Sequence, residues 1–160
     1  MNDLTVSNIE RQNVLNNRYA VDALQENLGF TGMLFEGEYR FTKKMVADFY
    51  EVEERTIERL LEDHGDELKY NGYILSRGKQ LKEFKLQFAP VINVGSKTTQ
   101  LGLFNFRAVL NVGMLLTESE KAKQVRTRIL DIVIATINGR AGGGTKYINW
   151  RDRDYLPTCL

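Results

Sequence analysis

A chain of 160 residues with a formal charge of +1 is long enough for one domain with a sizeable core, and its balanced charge selects no partner by itself. The single cysteine, Cys159, excludes an internal disulfide and a cysteine-rich zinc site. No apolar run of transmembrane length and no secretory signal is present, as expected of a cytoplasmic protein without membrane contact.

Residues 1–7 are polar. Ile9, Val14 and Leu15, then Tyr19, Ala23, Leu24 and Leu28, predict one broken or two short helices, ended by Gly29. Segments 30–35 and 38–41 flank Glu36-Gly37 and predict a small hairpin. Phe41 to Leu61 has the pattern of a helix-turn-helix. Thr42 can cap a first helix that exposes Lys43 and Lys44 and buries Met45, Val46 and Phe49. Ala47 suits a close helix crossing, Glu51 and Val52 occupy the turn, and a second helix starts near Glu53. That helix places Ile57, Leu60, Leu61 and His64 on one side. Glu51 stands where glycine is usually favoured, because the turn wants a positive φ. The second helix is also acidic, since eight carboxylates from Glu51 to Glu67 face only Arg55 and Arg59. Such a helix is repelled by phosphate unless its carboxylates point away or accept from cytosine amino groups.

After Leu68, Tyr70–Leu75 reads as a strand, Ser76-Arg77-Gly78-Lys79 as a turn and Gln80–Phe88 as a second strand. A hairpin behind a recognition helix forms a wing whose Arg77 and Lys79 neutralise phosphates, although turns also collect basic residues simply because they are solvated. Ala89 to Gln100 is loop-like, Leu101–Phe104 is a short strand, and Asn105 caps a helix carrying Phe106, Val109 and Leu110, with a break expected at Gly113. Thr117 and Glu120 form a capping box before a long helix with a core stripe of Ala122, Val125, Ile129, Ile132, Val133 and Thr136, closed by Gly139. Leu130, Ile134 and Ile137 lie on a neighbouring strip. They either form a dimer interface or pack beneath the N-terminal helices.

The glycine-rich segment 139–146 nearly spells a phosphate-binding loop. It follows a helix C-terminus, however, where carbonyls and the negative dipole end disfavour an anion, so it is expected to be a flexible connector. The tail beyond it carries Trp150, Arg151 and Arg153. Residues 1–138 therefore form one domain and residues 139–160 a connector and tail. His64, the only histidine, is expected to be a half-buried packing residue. No metal site, cofactor or catalytic residue is expected, because no titratable pair stands at catalytic spacing.

Two segments together resemble a known family. Arg40-Phe41-Thr42 through Ile57 resembles the N-terminal helix-turn-helix of RhuM-type virulence proteins, which are similar to phage antirepressor and Bro-type DNA-binding domains. Phe104-Asn105-Phe106-Arg107-Ala108-Val109-Leu110-Asn111-Val112-Gly113, followed by Ser119, Ala122, Val125 and Arg126, looks like that family's Tyr-Asn-Leu-x-Ala helix, Val-Gly turn and Ser-x-x-Ala-x-x-Phe-Arg helix. The chain departs from the pattern at Glu51, Phe104 and Val125, and has one extra residue between Gly113 and Ser119. The resemblance implies a DNA-binding or regulatory module of mobile-element, prophage or defence-island type. Some similar modules are fused to Fic-type nucleotidyl-transfer domains, whose His-x-Phe-x-Asp-Gly-Asn signature is absent here.

The expectation is thus an α+β winged helix-turn-helix with a small sheet and a C-terminal helical pair, binding double-stranded DNA as a homodimer. Thr42, Lys43 and Lys44 would touch phosphate, Arg55, Thr56 and Arg59 would face the major groove, and Arg77 and Lys79 would ride the backbone. Leu130, Ile134 and Ile137 would form the dimer interface. The rival expectation is a protein-interaction module whose acidic helix 53–67 docks a basic partner, such as a toxin or a downstream enzymatic domain.

Overall fold

Side-chain caps mark where most helices begin in the computed structural model, which describes residues 4–29, 32–89, 92 and 98–140, the last five by backbone alone. Ser7 accepts from the Glu10 amide to open α1 (Asn8–Leu15), and Asn17 accepts from the Ala20 amide to open α2 (Arg18–Leu28). Gly29, at φ 62°, ends α2 in a left-handed conformation. A hairpin follows, formed by β1 (Met33–Phe35) and β2 (Glu38–Thr42) around Glu36-Gly37, both at positive φ. Thr42 then caps α3 (Lys43–Tyr50), and a three-residue turn leads into α4 (Glu54–Tyr70). The chain continues through β3 (Ile74–Arg77), α5 (Gly78–Phe88), β4 (Gln100–Phe104), α6 (Phe106–Leu115) and α7 (Glu120–Arg140). The class is α+β, with a four-stranded sheet of order β1-β2-β4-β3 and antiparallel pairing throughout.

Adjacent residues of β4 face opposite sides of the sheet, as the pleat requires, and each side has its own core. Phe104 joins Phe41, its cross-strand partner, in the main core with Val46, Tyr50, Ile57, Leu68, Leu110 and Ile129. Leu103 faces a smaller core of Met33, Phe35, Phe84 and Ile92, where the Phe35 and Phe84 rings meet edge to face at 5.1 Å. α7 packs on α2 and α6, so its buried Ala122, Val125, Ile129 and Val133 close the main core from the N-terminal side.

Several sequence expectations change: α4 runs through Tyr70, and Ser76 and Arg77 belong to β3 rather than to a turn. Gln80–Phe88 is a helix rather than the second strand of a basic hairpin. Leu81 and Phe84 are buried one turn apart, with Phe88 against the same small core, whereas Leu86, which strand alternation would have buried, is exposed. Gly113 does not break its helix but lies inside α6, where its missing side chain admits the Tyr50 hydroxyl. The long C-terminal helix is capped by Ser119, not Thr117: the Ser119 hydroxyl accepts from the Ala122 amide and donates to the Tyr50 carbonyl at 2.7 Å, while Thr117 is exposed. The helix backbone also continues past Gly139 to Arg140. The remainder of the glycine-rich segment and Trp150, Arg151, Arg153 and Cys159 lie outside the described residues, as does the side chain of Ile137.

The turn confirms the conformation that its sequence made costly. Glu51 adopts φ 57° and ψ 44°, and the amides of Glu51 and Val52 donate to the last carbonyls of α3. A left-handed L-residue costs about 1–2 kcal/mol, and glycine returns about 0.4–1 kcal/mol of that through its freer unfolded chain. Glu51→Gly should therefore stabilise the protein by about 0.5–1 kcal/mol, read as a higher urea midpoint at unchanged slope. A midpoint that stays or falls would show that Glu51 carries a compensating interaction.

Candidate nucleic-acid interface

Helix α4 divides its residues cleanly between core and solvent. Ile57 and Leu68 are fully buried, with Leu60 and Leu61 packed partly against the core. Arg55, Glu58, Arg59 and Glu62 follow at spacings of three, one and three, which puts them on one outward strip. Arg55 and Arg59 are both exposed, Arg55 with 64% of its side-chain surface accessible. Thr56 is half-buried at the edge of this strip, and its amide donates to the Glu53 carbonyl. The helix kinks at His64, whose φ of −129° and ψ of 27° leave the helical region, and His64 is half-buried as its position predicts.

The first helix offers fewer free cations than its sequence suggests. Thr42 is 9% exposed, and its hydroxyl accepts from the Met45 amide at 3.2 Å, so it serves as the α3 cap and is not a free phosphate ligand. Lys43 reaches across to α4 and pairs with Glu58 at 2.5 Å. Lys44 pairs with Asp48 one turn along α3 at 3.2 Å, with both side chains well exposed, an arrangement that water and salt weaken readily. Hydrogen bonding and charge from Lys43 hold the Glu58 carboxyl below the usual carboxylate range, with Arg55 adding to the effect from 3.7 Å.

Tertiary packing also redistributes the acidic block. Glu67 turns inward and accepts from Arg11 Nε and Nη2 and Asn8 Nδ2, each at 2.8 Å, and from Asn111 Nδ2 at 2.6 Å. Asn71, just after α4, extends this network to Gln12, Asn111 and Arg107. Burial would raise the Glu67 pKa, but the Arg11 and Asn111 hydrogen bonds, the Arg11 charge and Asn8 outweigh it and hold the carboxyl below its ordinary value. Of the eight carboxylates, Glu67 is thus internal and Glu58 is paired with a lysine, while Glu51, Glu53, Glu54, Glu62, Asp63 and Asp66 remain exposed.

Arg77 ends β3 and Lys79 lies in the first turn of α5; both are exposed. The helical form of this segment adds Lys82, exposed one turn after Lys79, which a strand reading had no reason to group with it. Lys85 donates to the Thr98 carbonyl at 2.6 Å and ties α5 to the chain leading into β4. On α7, Leu130 is half-buried and Ile134 is 38% exposed. Among the described residues, no cluster of His, Cys, Asp or Glu could hold a metal ion, and no helix is long and apolar enough to cross a membrane. No family model, characterised protein or solved structure matches this chain.

Proposed function

We propose that this chain is a winged helix-turn-helix protein that binds duplex DNA, with α4 as the recognition helix and the β3–α5–β4 excursion as an enlarged wing. The observation that carries the reading is the order of elements around the helix pair. Strand β2 leads straight into α3 and α4, β3 follows α4, and β4 returns between β2 and β3, so the three strands are adjacent in the sheet with β2 and β4 beside α3, the order expected of a winged helix-turn-helix. The left-handed turn residue between α3 and α4 and the outward Arg55 and Arg59 add to it. In this reading Arg55 and Arg59 read base edges, Thr56 lies beside them, and Lys43, Lys44, Arg77 and Lys79 contact phosphate. A homodimer joined through Leu130, Ile134 and Ile137 of α7 would present two such helices to half-sites one turn of DNA apart. The family resemblance extends the reading to a transcriptional regulator of mobile-element, prophage or defence-island type.

A salt titration tests it directly. Binding of the full chain to duplex should fall steeply between about 50 and 200 mM salt, because each phosphate contact releases a counterion. Arg55→Ala should cost about 1–3 kcal/mol on the preferred sequence and relax selectivity, whereas Lys79→Ala should weaken all sequences alike and flatten the salt slope by about one. Equal loss of selectivity in both variants would overturn the division of roles.

The docking alternative is favoured by one feature. An open depression of about 780 Å³ runs between α1 and the second half of α4, lined by Asp63, Asp66, His64, Leu61 and Tyr70 among others. Its acidic rim suits a basic partner. Chain that binds such a partner and leaves duplex untouched at low salt would decide for that alternative.

A further inference from the structure

Glu58 is the one carboxylate on the outward strip of α4 that is held in place rather than left to solvent. Its Oε2 takes the Lys43 ammonium from α3, its Oε1 lies 3.7 Å from Arg55 Nη1, and 39% of its side chain remains accessible. The adjacent Arg59 and the preceding Arg55 flank it on the same face. A half-exposed ion pair of this kind adds only modestly to stability, so stability gives a weak reason for placing an acid there. A carboxylate facing duplex is repelled by phosphate everywhere except against a cytosine amino group, from which it accepts. Carboxylate oxygens have about four acceptor directions, and two cations leave some of them open.

We infer that Glu58 is a specificity-determining residue that reads cytosine, while holding Lys43 and Arg55 back from phosphates of non-cognate duplex; this rests on the DNA-binding reading above. The flanking arginines carry the donor fork that fits guanine O6 and N7. The strip Arg55-Glu58-Arg59 therefore matches a G·C-rich half-site, with guanines read by the arginines and one cytosine by Glu58. On duplex without the matching site, Glu58 meets no cytosine amino group in register, and its charge opposes binding. On the matching duplex, that repulsion is replaced by a hydrogen bond.

The test is selection of bound sequences from a random duplex pool by the full chain, as wild type and as Glu58→Gln and Glu58→Ala, with anisotropy titrations on random duplex at two salt concentrations and a thermal melt of each protein. Wild type should select a G·C-rich site. Glu58→Gln should switch one position from cytosine to adenine, because a glutamine amide pairs with adenine N6 and N7. Glu58→Ala should lose preference at that position by about 10- to 100-fold. Both variants should bind random duplex several-fold more tightly, with a steeper salt dependence, since two cations are released from their carboxylate. Variants that bind duplex but select the wild-type sequence would overturn the inference and leave the DNA-binding reading standing, and a shift in melting alone would mark Glu58 as a plain ion-pair partner. Wild type that binds no duplex at low salt would overturn both.

Discussion

Glu67→Leu should destabilise the protein by about 3–5 kcal/mol, the cost expected when one member of a buried ion pair is removed and the other stays behind. Arg11 is 5% exposed and would be left with the Leu4 carbonyl as its remaining partner in this network, and Asn111 and Asn8 would lose their acceptor. For a chain of this size that corresponds to a fall in melting temperature on the order of 10 °C. The double variant Arg11→Leu with Glu67→Leu should recover only part of the loss, because the buried Asn111 amide remains unsatisfied, whereas the exposed Asn8 can turn to water. Full recovery would mean that Arg11 alone needs Glu67. The same group sets an acid limit. Its folded pKa lies below its ordinary 4.5, so its contribution is complete above that value and is lost as the pH falls below 4.5 through the lowered folded pKa. Glu67→Gln should therefore be less stable than wild type at neutral pH, and its urea midpoint should change less between pH 5 and more acidic solution. A wild-type acid profile that runs parallel to that of Glu67→Gln would show that other carboxylates control acid unfolding.

Gly113→Ala should be destabilising, by about 1–3 kcal/mol of overpacking set against the 0.5–1 kcal/mol that alanine ordinarily adds to a helix interior. A Cβ at Gly113 would run into the Tyr50 hydroxyl and come within 2.9 Å of its Cζ. The ring cannot swing aside easily, since it is fully buried, and its hydroxyl donates to the Val109 carbonyl at 2.7 Å. Burial also pushes that hydroxyl's pKa far above the ordinary tyrosine range, so it stays a donor at any working pH. In a Tyr50→Phe background, which removes the nearest atom of the clash, Gly113→Ala should cost less. A double-mutant cycle by urea unfolding measures that coupling. Additive losses would place the strain elsewhere in α6. Because the Ser119 hydroxyl donates to the Tyr50 carbonyl and Arg126 donates to the Gly113 and Leu116 carbonyls, this corner grips the end of α3. Gly113→Ala should disturb the helix pair even though it lies far along the sequence from it.

Local signals determined most of the elements. Helix caps at Thr42 and Asn105, the left-handed Gly29, the Glu36-Gly37 turn and the three-and-four spacing of Ile57, Leu60 and Leu61 each act within one or two turns of chain, and all are found where expected. Segment 80–88 is ambiguous in sequence because Leu81 and Phe84 fit a helical period while Phe84 and Leu86 fit a strand's, and only the small core beneath β1 and β4 selects the helix. Among the residues in the family resemblance, Gly113 admits Tyr50, Ser119 caps α7 and Arg126 donates to the Gly113 and Leu116 carbonyls at the end of α6. Their spacing was visible, but not their roles.

Partnerships across distance were decided by the tertiary structure alone. Whether the acidic run on α4 repels phosphate depends on which carboxylates meet a cation, and Arg11 with Glu67 and Lys43 with Glu58 are brought together from separate helices. Helical spacing along α4 orders its own side chains, but it carries no information about what α1, α3 and α6 set against them, because charge pairing acts through space and not along the chain.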